Sequence, residues 1–315
     1  MTKKTRNILW WSLALAIGVG VAALPYSGYD WLYYFYPQLK DGNAVRILNP
    51  LWVYLPFLPL QLASWKVAHI LFALANVGLI GLAIRLTGAK RYFVILSLQF
   101  VNIFWLGQLD ILTAFGVGLG YWAVKEKKPH WLGLSFLFLL SKPHIGIFIA
   151  LFYFLKSRDL RSLIVPAIGL GLSMIVFGVA WPIEWVETLI AEVSGDRFTG
   201  LPRNISLFPY GLALFALLAV PLSFDRQIIV VVAATMLSTP YAPIYSLIIL
   251  FVLPIPWWLY LLGSVPYLVG QHAYWTATIV PLLSAAWAIG PQLKITTLKF
   301  YNQRQIMSPH SEDKV

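Results

Sequence analysis

The chain has 315 residues, 59% of them hydrophobic and only 11% charged, with a mean hydropathy of +0.75. A soluble core of this length cannot bury that much apolar surface, so lipid must solvate the outside and a soluble globular class is excluded. Cysteine is absent, which excludes a thiol nucleophile, thiolate metal ligation and disulfides, and the net charge of +11 sits in short basic clusters between apolar runs, the pattern of topology determinants rather than of a nucleic-acid surface.

Lys3, Lys4 and Arg6 precede an apolar run from Ile8 to Leu24. The pattern is that of a signal peptide, but further spans follow, so it reads as an uncleaved first helix. Later apolar runs cover 66–86, 92–106, 109–124, 130–141, 144–155, 162–180, 208–222, 227–238, 244–253, 257–270 and 273–290. A straight span takes about 20 residues, so short runs such as 130–141 and 244–253 are expected to be half-helices or re-entrant hairpins buried against neighbours. The expected fold class is an all-α polytopic membrane protein of about 10–12 transmembrane or half-membrane helices with extracytoplasmic loops. Residues 1–291 read as one transmembrane domain and 292–315 as a polar, partly disordered cytoplasmic tail.

Threading the chain with its amino terminus inside leaves only Lys40, Arg46, Lys66, Lys142, Arg197 and Arg203 of the 23 basic residues outside. Both termini are then cytoplasmic, in a multi-pass protein of the cell's inner (plasma) membrane. Among the acidic residues, Asp30, Asp41, Asp110, Glu184, Glu187, Glu192 and Asp196 fall outside, while the inner-loop acids Glu126, Asp159 and Asp225 sit beside Lys or Arg and read as solvated loop charges. Carboxylate chemistry is therefore expected on the outer face. No ionisable residue lies near the middle of an expected span, which removes support for ion-coupled transport. A Walker-type phosphate loop, a Gly-x-Ser-x-Gly elbow and a His-Glu-x-x-His pair are all absent, as are paired acidic residues in the inner loops that would hold a metal and a nucleotide-sugar.

Four outer segments carry the polar groups. The first runs Tyr29-Asp30-Trp31-Leu32-Tyr33-Tyr34-Phe35-Tyr36-Pro37 through Asp41-Gly42 to Asn49-Pro50; the others are Gly107-Gln108-Leu109-Asp110, Ser141-Lys142-Pro143-His144 and Leu237-Ser238-Thr239-Pro240-Tyr241. In this order, on one side of the membrane, they resemble the glycosyltransferase family 87 group of GT-C enzymes and are similar to polyprenyl-phosphate-mannose-dependent mannosyltransferases, with Asp110 standing where that family has Asn. The resemblance implies a GT-C-like helical bundle. It also implies transfer of a sugar, mannose first, from a polyprenyl-phosphate carrier to an extracytoplasmic glycan or lipid acceptor, with membrane lipid as the other partner and nucleic acid as none.

Such transfer needs a base for the acceptor hydroxyl and cations for the departing phosphate. Asp30, at a helix end among Trp31, Tyr33 and Tyr34, is the base candidate, since partial desolvation raises a carboxylate's proton affinity; otherwise it is an interfacial helix-end charge. Lys142 and His144 flank Pro143, which biases position 142 out of helical geometry, so both can face a phosphate; the alternative for Lys142 is snorkelling. Arg203 offers a guanidinium fork, with Pro202 fixing its approach and Asn204 adding a donor. Tyr33, Tyr36, Asn49, Gln108, Tyr241 and His272 are pocket candidates, the last two also reading as interfacial anchors. Gln99 and Asn102 share a helix face, a polar stripe that either bonds a neighbouring helix or touches ligand. Asp110, at a helix start, reads as an N-terminal cap or as a second acidic group; no cofactor is called for, and a divalent metal stays open although nothing supplies the rest of an octahedral shell. A non-enzymatic lipid-linked-sugar flippase or a membrane scaffold with the same fold is the competing reading.

Overall fold

In the computed structural model, residues 2–41, 49–194 and 203–306 are described. Arg46, Asp196, Arg197, Pro202 and residues 307–315 lie outside them. Helix α1 (Lys3–Ala23) opens at Thr2, whose side chain accepts from the Thr5 backbone 3.1 Å away, and closes where Leu24 turns extended. A π-turn at Trp31–Phe35 and short α2 (Tyr36–Asp41) follow, then a 3₁₀ segment Leu51–Leu62. Helix α3 (Trp65–Thr87) begins at the Ser64 cap and stops at Gly88, whose φ of 78° suits glycine. Lys66, at the start of α3, donates to the Leu24 carbonyl and, at 2.8 Å, to Ser27 Oγ. It thereby satisfies acceptors at the end of α1 and ties the two helices antiparallel.

The apolar run 92–106 is not one span. It divides into α4 (Arg91–Ile95) and α5 (Leu98–Leu106) because Ser97 caps a new helix start, accepting from Phe100 N at 3.3 Å. The next helix, α6 (Asp110–Lys125), is buried along nearly its whole length. Its glycines make this possible. A Cβ at Gly116 would lie 2.7 Å from the Leu139 backbone N, and one at Gly118 would lie 2.8 Å from Ala83 Cα, so only a small-residue face lets α3 and α7 (Pro129–Leu139) approach so closely. Helix α8 (Pro143–Ser157) restarts after a break at Lys142. Then come α9 (Ile164–Phe177) and α10 (Trp181–Ser194), the latter with Glu184 and Glu187 on its exposed side.

The later part contains a 3₁₀ segment Tyr210–Ala219, the buried α11 (Phe224–Ser238), a 3₁₀ turn Ile244–Leu247 running into α12 (Ile248–Phe251), α13 (Trp257–Val269), a 3₁₀ segment Gln271–Thr278 and α14 (Ile279–Ile306). Helix α11 packs against α8, α12 and α14, and from Ile228 to Ser238, a mostly apolar stretch, every residue is buried. Helix α14 continues through position 292, where the sequence suggests a boundary between domain and tail. Among the described residues there is no strand, and Thr5–Ala23, Trp65–Thr87, Leu160–Phe177 and Gln271–Gln292 are long and apolar enough to cross a membrane. Leu51–Leu62, Pro129–Leu139, Pro143–Ser157, Tyr210–Ala219 and Trp257–Val269 are the apolar elements too short for a straight crossing. The fold is that of an all-α polytopic membrane protein.

Candidate active site

Helix ends and breaks gather at one end of the bundle, and the polar side chains they carry meet there. The chain leaves α1 through Ser27 and Gly28, and the Gly28 N–H donates to the Trp105 carbonyl at 2.7 Å, which pins this turn to the end of α5. Gly107 terminates α5 in the left-handed region with φ of 76°. As a result Asp30 and Gln108 face one another, and the Gln108 amide donates to Asp30 Oδ2.

His69 of α3, fully buried, fills the space beneath this pair. A Cβ on Gly28 would lie 2.6 Å from His69 Nδ1; one on Gly107 would lie 2.6 Å from Trp31 Cβ and 3.1 Å from His69 Nε2. Gly28 also has a positive φ of 85°, so two glycines in left-handed backbone clamp one imidazole and set the positions of Asp30 and Gln108 just after them.

The second group centres on Asp110. Lys142, only 7% exposed, places its Nζ 2.6 Å from Asp110 Oδ2, and Ser246 Oγ donates to Asp110 Oδ1 at 2.5 Å. Lys142 Nζ also lies 5.1 Å from the centre of the Tyr245 ring. Two expectations are corrected here. Asp110 is not an N-terminal cap: it is the first residue of α6, Leu109 holds the cap position without a side-chain bond, and the carboxylate points across to Lys142 and Ser246 instead. Nor does Lys142 snorkel, because its break between α7 and α8 turns the ammonium inward to a carboxylate that is 0% exposed. The hydroxyls of Ser141 and Thr113, 3.0 Å apart, brace the same break.

The two groups share one electrostatic environment. Burial raises the Asp30 carboxyl above the ordinary carboxylate range; the Gln108 hydrogen bond and the positive charges of Lys142 and Arg203 pull it back, and the Asp110 charge pushes it up again. Arg203 is held by its backbone, whose carbonyl accepts from Ile244 N at 2.8 Å. Asn204 is not a spare donor as the sequence suggests. Its Nδ2 donates to the Pro240 carbonyl at 3.0 Å and its Oδ1 accepts from Ala242 N at 2.9 Å, so it staples the Arg203 segment to the loop after α11. Tyr241 and Tyr245 are hydrogen-bonded to each other in the field of Asp30 and Asp110.

Other candidates sit elsewhere or do other work. Tyr33 is 55% exposed and packs on Tyr29 with ring centres 4.8 Å apart. The Tyr36 hydroxyl donates to the Ala63 carbonyl at 2.5 Å and anchors the segment that follows α1, while Asn49 is hydrogen-bonded to buried Tyr54. His144, two residues after Lys142, has a buried Nε2 without a hydrogen-bond partner among the described residues. His272 is exposed. Gln99 donates to the Gly263 carbonyl at 2.6 Å, the helix-bonding role rather than ligand contact. Among the described residues no group of three or more His, Asp or Glu lies together as a metal site. The residues missed by sequence reasoning are His69, Tyr245 and Ser246; the last two lie within an apolar run in no polar pattern, so only packing singles them out.

The family model for glycosyltransferase family 87 matches residues 48–251, well over half of the chain. Gln108, Asp110, Lys142, His144, Arg203 and Tyr241 fall inside the match, whereas Asp30 precedes it and His272 follows it. No curated protein and no solved structure matches the chain.

Proposed function

Because the chain belongs to glycosyltransferase family 87, and is therefore a membrane glycosyltransferase, we propose that it moves a hexose, mannose in the first instance, from a polyprenyl-phosphate carrier to an extracytoplasmic glycan or lipid acceptor. The observation that carries this reading is a partly desolvated carboxylate, Asp30, held by Gln108 within the field of two cations from separate segments, Lys142 and Arg203. In the reaction, Asp30 accepts the proton of the acceptor hydroxyl as that oxygen bonds to the anomeric carbon. The bond from the anomeric carbon to the phosphate oxygen breaks, and its electron pair leaves with the polyprenyl phosphate. Lys142 and Arg203 meet the charge that builds on the leaving phosphate.

Asp110 has a supporting part, fixing the Lys142 ammonium where a free lysine would wander among rotamers. His144 and Tyr241 line the same end of the bundle as polar contacts for the sugar or phosphate. The reading places both termini in the cytoplasm and the site at the outer surface of the inner membrane, within a single domain comprising residues 1–291. Membranes containing the chain, incubated with labelled polyprenyl-phosphate mannose or with labelled nucleotide-sugar, test it. Label should pass to acceptor from the lipid-linked donor alone; transfer from the nucleotide-sugar with the lipid carrier absent overturns the reading.

A further inference from the structure

The opposite end of the bundle carries a second feature that the transfer chemistry leaves unused. A groove of about 880 Å³ runs between α1 and α3, walled by Trp11, Leu15, Leu74 and Val77 and bordered at its polar end by Asn7, Arg85 and Arg91. Its size is that of a ligand cleft, within the ~300–1,000 Å³ usual for such sites. Asn7 and Ala23 are sixteen residues apart on α1, which at 1.5 Å per residue puts the groove's polar end about 24 Å from the end of the helix that leads to Asp30.

Three details say what fits there. The groove lies open at Gly78 and Gly88, where a Cβ would meet no atom within 4 Å, and is closed by the Trp11 ring at Gly81, where a Cβ would lie 3.0 Å from it. The rim is apolar, with Leu15, Leu74 and Leu82 all exposed on two helices long and apolar enough to cross a membrane. The cations sit only at the membrane-surface end, where Arg85 closes the last turn of α3 and Arg91 opens α4. Apolar walls at bilayer depth with guanidinium groups at headgroup level match an anionic phospholipid, whose chains follow the walls and whose phosphate meets both arginines.

We propose that this groove is a binding site for one anionic glycerophospholipid, separate from the sugar-transfer site and independent of the donor assigned to it. The full chain, purified in a non-ionic detergent, is mixed with phosphatidylglycerol, with phosphatidylcholine or with inorganic phosphate, and bound species are counted by native mass spectrometry. One phosphatidylglycerol should be retained in preference to phosphatidylcholine, and inorganic phosphate should not displace it. Each arginine is worth on the order of fivefold, so Arg85→Gln/Arg91→Gln should weaken retention about 25-fold. Gly78→Leu should also remove the lipid by filling the groove; it puts a better helix former into open space, so the helix content of this variant should be unchanged. Equal retention of both lipids, displacement by inorganic phosphate, or wild-type retention by either variant overturns the proposal.

Discussion

The ion pair between Asp110 and Lys142 offers the sharpest test of how this site is built. At 2.6 Å and an effective dielectric of about 20, the two charges attract by roughly 6 kcal/mol, most of it offset by the cost of removing both from water. Lys142→Met removes the cation and leaves a carboxylate that is 0% exposed with Ser246 as its one remaining described partner, so the fold should lose about 3–5 kcal/mol. At roughly 1.5 °C per kcal/mol for a chain of 315 residues, the unfolding midpoint of the purified protein in detergent should fall by about 5–7 °C. Asp110→Asn/Lys142→Met removes both charges at nearly constant volume and should recover most of that loss. Turnover behaves differently: Lys142 also serves the leaving phosphate, so the double variant should remain slow even where its stability returns. A Lys142→Met protein as stable as wild type would mean that the pair is solvated and the burial argument wrong. A double variant that regains full turnover would remove Lys142 from the chemistry.

Three further outcomes follow from the geometry. Burial raises the proton affinity of Asp30, and a protonated Asp30 cannot act as base, so kcat/KM should fall on acidification through a pKa above the ordinary carboxylate value; Gln108→Ala removes a bond that favours the carboxylate and should move that acid limb to higher pH, while an unmoved limb in the pH–rate profile would contradict the pairing. Gly107→Ala forces a Cβ into left-handed backbone at a cost of about 1–2 kcal/mol and into contact with Trp31 and His69, so both thermal midpoint and turnover should drop. At the other end, Lys125 and Asp225 form a 2.9 Å pair that is 44% and 49% exposed; Asp225→Asn should cost less than about 1 kcal/mol by thermal unfolding and leave turnover unchanged.

Much of this architecture was legible from residues alone. Length and hydropathy give the membrane class, and the short apolar runs announce half-length elements such as α7 and α8, because a helix of 11 or 15 residues cannot span about 30 Å of hydrocarbon. Polar residues beside a glycine or proline were also readable: Gln108 follows Gly107 and Lys142 precedes Pro143, and both mark breaks where the chain turns toward the site. What the sequence could not supply was partnership. Asp110 at a helix start looks like a cap until Lys142 and Ser246, far off in sequence, are brought to it by packing. Asn204 looks like a free donor until the loop after α11 claims both ends of its amide. His69 looks like an isolated histidine in an apolar helix, and its clamp becomes visible only when two distant glycines close over it.

The account rests on Asp30, Lys142 and Arg203 facing the extracytoplasmic side, and the absence of cysteine makes that side directly measurable. In otherwise unaltered chains, Tyr33→Cys, exposed three residues after Asp30, and Glu126→Cys, exposed just beyond the far end of α6, are each treated in intact cells with a membrane-impermeant maleimide. The account predicts that the cysteine at 33 labels in intact cells and the one at 126 labels only after the membrane is permeabilised. Labelling of position 126 in intact cells with protection of position 33 would put the carboxylates and their cations in the cytosol, out of reach of a donor presented at the outer leaflet.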